Sequence, residues 1–166
     1  MNVILCGCSG TGKSSAIQKI LTHFDEPIYG FWTRKLAPFD NGECSVYFHP
    51  CQEPITFTNR IGICKDRHAE KFPQAFDTVG VRSLSDIPEG SLVMMDEIGF
   101  MENDAQDFIK AVFKILDGNY RVIAAVRDKN TPLLDAIRNH AKSYCVQAAD
   151  ARSDAVIAKA VSLLTK

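Results

Sequence analysis

No stretch of this 166-residue chain approaches the roughly 20 consecutive apolar residues of a membrane-spanning helix. The opening MNVILCG is too short an apolar run for a secretion signal, so the expected setting is the cytoplasm. No run of five or more Lys or Arg occurs, and 19 basic against 20 acidic residues leave a formal net charge of −1. The charge balance therefore favours neither nucleic acid nor an anionic membrane surface as a partner. Internal repeats and low-complexity tracts are absent, which excludes solenoids and fibrous classes. The six cysteines include no CxxC knuckle, and the four histidines form no HxH or HxxxH pattern. A zinc set drawn from Cys44, His49, Cys51, Cys64 and His68 fits no common spacing. Reduced thiols packed as small hydrophobes are the simpler expectation.

What is present is ordinary for a globular protein: 46% hydrophobic and 23% charged residues. The length suggests one domain over 1–166, expected as a monomer. NVILC (2–6), SLVMMDE (91–97) and RVIAAV (121–126) are short continuous apolar runs of the kind that form buried parallel strands. Ile17, Ile20, Leu21 and Phe24 recur at helical spacing, as do Phe108, Ile109, Val112, Phe113 and Leu116. A short helix over 131–139 with Pro132 in its first turn, a strand at SYCVQ and a terminal helix face at Val156, Ile157, Ala160, Val161 and Leu164 complete the pattern. The expected fold class is α/β, a mostly parallel sheet flanked by helices. Residues 28–84 read as an antiparallel, β-rich insertion with a hairpin at Asn41-Gly42.

GCSGTGKSS, residues 7–15, lies between the first strand and the first helix. Gly7, Gly12, Lys13 and Ser14 match GxxxxGK[ST] in the strand–loop–helix setting that the motif requires. Glycines let successive backbone N–H groups turn inward on phosphate, and the helix N-terminus adds positive potential. Gly7, Cys8, Ser9, Gly10, Thr11, Gly12, Lys13, Ser14 and Ser15 are thus the expected cradle of a nucleoside triphosphate. Lys13 is placed to reach the β- and γ-phosphates, and the Ser14 hydroxyl to ligate Mg²⁺.

Asp96 and Glu97 close the second apolar run, at the strand end where open α/β sheets bind ligands. Asp96 is the expected second Mg²⁺ anchor, through a water, and Glu97 the group that accepts a proton from water or orients it. The alternative is two surface acids ending a strand. Arg127 ends a buried strand and is a candidate for stabilising charge on the γ-phosphate, with a solvated strand-end arginine as the simpler reading. Arg34 invites the same hypothesis with less support. Tyr29, Phe31 and Trp32 are candidates for stacking on a base, against core packing.

GCSGTGKSS, GFWTRK (30–35) and MMDEIGFME (94–102) occur in this order. Together they resemble the small P-loop nucleoside-triphosphatases, the group that includes the cancer-related nucleoside triphosphatase of animals and its bacterial and archaeal relatives. The resemblance spans most of the chain. It implies a RecA-like P-loop fold and slow Mg²⁺-dependent hydrolysis of nucleoside triphosphates, ATP and GTP both included. It also implies that the stretch from Glu97 through Ile98 and Gly99 to Glu102 lines the nucleotide site. Phe100 stands where the family often has Lys, and Arg34-Lys35, Asn103 and Arg127-Asp128 also depart from its pattern. Two rival readings are a nucleotide or small-metabolite kinase, which would need an acceptor site, and a nucleotide-loaded switch or partner-binding module.

Overall fold

The computed structural model describes residues 1–36, 42–65, 68–150 and 153–165. Its eight strands are β1 (Asn2–Gly7), β2 (Ile28–Lys35), β3 (Cys44–Pro50), β4 (Arg60–Lys65), β5 (His68–Lys71), β6 (Leu92–Ile98), β7 (Arg121–Arg127) and β8 (Ser143–Gln147). They form one sheet in the order β5-β4-β3-β2-β6-β7-β1-β8. The five strands from β2 to β8 in that order run parallel, whereas β3, β4 and β5 add antiparallel strands beyond β2.

The continuous apolar runs are explained by burial on both faces. Along β1, Ile4 and Cys6 enter one core while Val3 and Leu5 enter the other. The same alternation in β6 sends Val93 and Met95 one way and Leu92 and Met94 the other. Helix α1 (Lys13–Leu21) and α6 (Asp154–Leu164) cover one face through Ile17, Ile20, Ile157 and Leu164. Helices α4 (Gln106–Asp117) and α5 (Pro132–Arg138) cover the other through Phe108, Val112, Leu134 and Ile137. Thr131 caps α5 by accepting from the Leu134 N–H at 3.3 Å, just ahead of Pro132. No helix among the described residues is long and apolar enough to cross a membrane.

The middle section departs from the sequence reading in three ways. Strand β2 pairs in parallel with β6, so it belongs to the parallel part of the sheet and not to the antiparallel addition. Residues 73–83 are helical: α2 (Pro73–Ala75), a π-helical turn (Phe76–Gly80) and α3 (Val81–Ser83). Their short apolar spacing lacks a helical repeat, and tertiary contacts hold them. Phe76 packs at 5.4 Å from Phe108, and Asp77 accepts from the Asp107 and Phe108 N–H groups at 3.0 Å, capping α4. Within the section expected to be β-rich, residues 54–59 lie outside any strand and β4 begins at Arg60. The β2–β3 hairpin is present, with Gly42 at φ 77°, whereas Asn41 lies outside the described residues.

Two motif residues owe their identity to the β2–β6 junction. Gly30 has φ 91°, and a Cβ there would stand 2.1 Å from the Met94 carbonyl oxygen, so only glycine fits. Thr33 directs its hydroxyl toward the end of β6, where the site lies.

Candidate active site

The carboxyl ends of β1, β7 and β6 lie side by side, with β7 between the other two. The loop after β1 and the acids at the end of β6 thus flank Arg127 at the end of β7. The strand that separates the loop strand from the acidic strand in space is β7, which follows both in the chain.

In the loop, Gly10 (φ 79°) and Gly12 (φ 90°) occupy the left-handed region. Gly12 is the residue before α1, and its carbonyl accepts from the Ala16 N–H at 3.0 Å. The first N–H groups of α1 have no partner within the helix and open onto the loop. Cys8, Ser9 and Gly10 are exposed, as are Ser14 and Ser15, but Lys13 is only 3% exposed. Its ammonium donates to the Gly7 carbonyl at 2.8 Å and the Cys8 carbonyl at 2.7 Å, and stands 3.4 Å from Glu97 Oε2. A buried cation held by neutral carbonyls and one acid is suited to exchange them for phosphate oxygens.

Ser14 donates to Asp96 Oδ1 at 3.0 Å, joining the two expected metal anchors across 82 residues of sequence. Burial pushes the Asp96 carboxyl up from its ordinary value, and the Ser14 hydrogen bond opposes that shift. One hydroxyl and one carboxylate are hard oxygen donors, the sparse protein set that Mg²⁺ takes when phosphates and waters complete its shell. Among the described residues no group of three or more His, Cys, Asp or Glu side chains gathers to hold a metal. The five residues of the zinc set fall under that finding.

Alternation along a strand should send Glu97 to the face opposite Asp96. The β6–β7 register instead steps from Asp96↔Ala125 to Ile98↔Val126, leaving Glu97 unpaired. Such a bulge re-aims a side chain. The freed Glu97 N–H donates to Thr33 Oγ1 at 3.3 Å, and its carboxylate accepts from Arg127 Nε at 2.5 Å. Both consecutive acids therefore open on one cleft of about 350 Å³, which also includes Ser9, Ser14, Thr33 and Arg127.

Gly99 lies in the cleft wall and donates its N–H to Glu102 Oε2 at 3.0 Å. Ile98, expected in the nucleotide site, is instead fully buried in the core; the register past the bulge turns its side chain away from the cleft. Phe31 stacks on Phe48 at 4.5 Å inside the core, and Trp32 stacks on His49 at 4.3 Å, so both rings serve packing. Arg34 is exposed and outside the cleft, whereas Arg127 is in it. Thr33, a residue of the GFWTRK motif with no expected role, joins the site through its bond from the Glu97 N–H.

Glu102 is 3% exposed, and burial raises its carboxyl to about 7, with backbone hydrogen bonds and Arg127 opposing. The folded protein thus holds this proton more tightly than the unfolded chain. Its stabilising contribution is full below the ordinary carboxyl value of 4.5 and is lost as pH rises through about 7. The shift corresponds to about 3 kcal/mol across that window. Glu102→Gln keeps an acceptor for Gly99 without titrating. Urea unfolding from pH 5 to 8 is expected to show the wild type losing stability relative to this variant. Parallel curves for the two proteins would exclude Glu102 as the titrating group.

A family model described as NTPase matches residues 54–161. Nucleoside-triphosphatase THEP1 of Thermotoga maritima is 30% identical over 149 residues, covering 84% of this chain and 81% of the relative. The protein of the same name from Thermotoga sp. strain RQ2 is 26% identical over 151 residues, covering 84% of this chain and 81% of the relative. The crystal structure of THEP1 from the hyperthermophile Aquifex aeolicus matches at a TM-score of 0.74 and 20% identity over 100% of both chains, a likeness in fold.

Proposed function

This chain belongs to the NTPase family of nucleoside-triphosphate-hydrolysing enzymes, and from that premise we propose that it uses Mg²⁺ to cleave ATP and GTP to the diphosphate and phosphate. The observation that carries this reading is the position of Glu97, a carboxylate turned out of its strand between Lys13 and Arg127 and facing the phosphate loop.

The loop N–H groups and Lys13 would bind the β- and γ-phosphates. Ser14 and Asp96 would hold Mg²⁺, which supplies neutralisation of phosphate charge. In the free protein Glu97 is occupied by two cations. A bound triphosphate competes for both, because Lys13 and Arg127 turn toward phosphate oxygens. Glu97 is thereby released to accept a proton from the water attacking in line with the departing diphosphate. Arg127 then faces the charge that builds on the transferred group.

Phosphate release from ATP, GTP, CTP and UTP, with Mg²⁺ and with EDTA, tests the reading. Turnover of ATP and GTP that EDTA abolishes is expected. Asp96→Asn should raise the Mg²⁺ concentration needed for half-maximal rate by about tenfold or more, since it removes charge from a site with few protein ligands. No release by the wild type would overturn hydrolysis, and full activity in EDTA would overturn the metal.

A further inference from the structure

The cleft continues past Arg127. A second hollow of about 380 Å³ shares Lys35, Cys64, Phe100 and Arg127 with the first. Lys65 and His68, at the β4–β5 end, and Lys129, just after β7, also line it. No Asp or Glu is among its lining residues that the structure describes. Lys65 stands 3.9 Å from Glu43, a partly exposed pair, and Arg127 is held by Glu97. Among the described residues Lys35 and Lys129 make no ion pair. Several cations converging on one concave surface focus a positive potential that favours an anion.

The floor of the hollow narrows the choice of anion. The Lys129 ammonium rests 4.3 Å from the centre of the Phe100 ring, and the Arg127 guanidinium lies 5.9 Å from it. A phosphate drawn in by Lys35 and Lys129 would take the ammonium off the ring and leave that face for a planar group. The volume is that of a small-molecule pocket. Lys13 and Arg127 hold different oxygens of Glu97, and no phosphate-loop residue is among the described residues that line the hollow, so a ligand here would sit beyond the terminal phosphate.

We propose that this hollow is a second ligand site, built for a phosphate monoester carrying a planar ring, such as a nucleoside 5′-monophosphate. It rests on the triphosphate reading only in that the phosphate loop is a separate site. The test is calorimetric titration of AMP into protein already saturated with ADP. AMP is expected to bind at one site on top of ADP. Lys65→Ala/Lys129→Ala, which changes two residues of this hollow that do not line the first cleft, should weaken AMP about tenfold or more while ADP binding stays within about twofold. Phe100→Ala should weaken AMP but not inorganic phosphate, because only the ring contact is lost. AMP that merely displaces ADP, or binds wild type and double variant alike, overturns the proposal. So does a 5′-phosphorylated oligothymidylate that binds more tightly than AMP, which would assign the surface to nucleic acid. If ADP alone fails to bind, the triphosphate reading falls, and direct AMP titration of wild type and double variant still decides the second site.

Discussion

Glu97→Gln is expected to retain nucleotide binding and to lower the rate of phosphate release by a factor of about 10² to 10⁴, the range of a positioned general base. The substitution is nearly isosteric. Its amide oxygen can still accept from Arg127 Nε, which the carboxylate does at 2.5 Å, and the main chain can keep its bond to Thr33. What it removes is negative charge and basicity. The loss of charge has the opposite effect on binding, because a carboxylate 3.4 Å from the Lys13 ammonium competes with phosphate for it. The Kd for ATP should therefore stay level or tighten while kcat falls, a split that general disruption of the site would not give. Single-turnover phosphate release alongside equilibrium ATP binding measures both. Equal rates in the two proteins would take Glu97 out of the mechanism.

The elements that position this site were legible in the sequence to different depths. β1, β6 and β7 are buried on both faces, so their apolar runs identify them whatever their order in the sheet. The phosphate loop is equally local: its glycines, Lys13 and Ser14 act within one strand–loop–helix unit. The end of β6 is not local. Asp96-Glu97 reads as a pair of acids that alternation would separate, yet both open on one cleft where the register shifts against β7. A bulge is a relation between two strands, and it leaves no periodic mark in either one. Thr33 is another case. It looks like a β-branched strand residue until the Glu97 N–H, freed from the ladder, arrives 3.3 Å from its hydroxyl.

Residues 73–83 were missed for a related reason. A three-residue α-helix, a π-helical turn and another three-residue helix carry no 3.6-residue repeat long enough to detect. They hold through Phe76 in the core and Asp77 at the N-terminus of α4, contacts some 30 residues away in the chain. Arg127 shows the same limit in the site itself. As a strand-end arginine its simpler reading is a solvated side chain. Its bonds to Glu97, and the Arg138 guanidinium that donates to its carbonyl at 2.9 Å, make it part of a fixed network instead.

The larger effect on binding is expected from Lys13→Ala. This ammonium is 3% exposed, and in the free protein it bridges the Gly7 and Cys8 carbonyls at 2.8 and 2.7 Å. Removing it acts on two states at once. The free loop loses two charge-assisted hydrogen bonds, which lowers stability by about 1.5–3 kcal/mol for each if nothing replaces them. The bound state loses the cation aimed at the β- and γ-phosphates, while Glu97 and Asp96 remain as two acids facing a triphosphate. Repulsion is then no longer offset from the loop side, and ATP affinity should fall about 100-fold, equivalent to about 2.7 kcal/mol. The apparent kcat/KM should fall further, about 10³-fold or more, because charge on the transferring group grows toward the transition state. Lys13→Arg should not restore it: a planar guanidinium cannot enter the narrow space between the Gly7 and Cys8 carbonyls as a compact point charge does. Equilibrium ATP binding and steady-state phosphate release on both variants distinguish the contributions. ATP binding to Lys13→Ala within about threefold of wild type would mean that the loop backbone alone holds the triphosphate, and that Lys13 serves chiefly to brace its own loop.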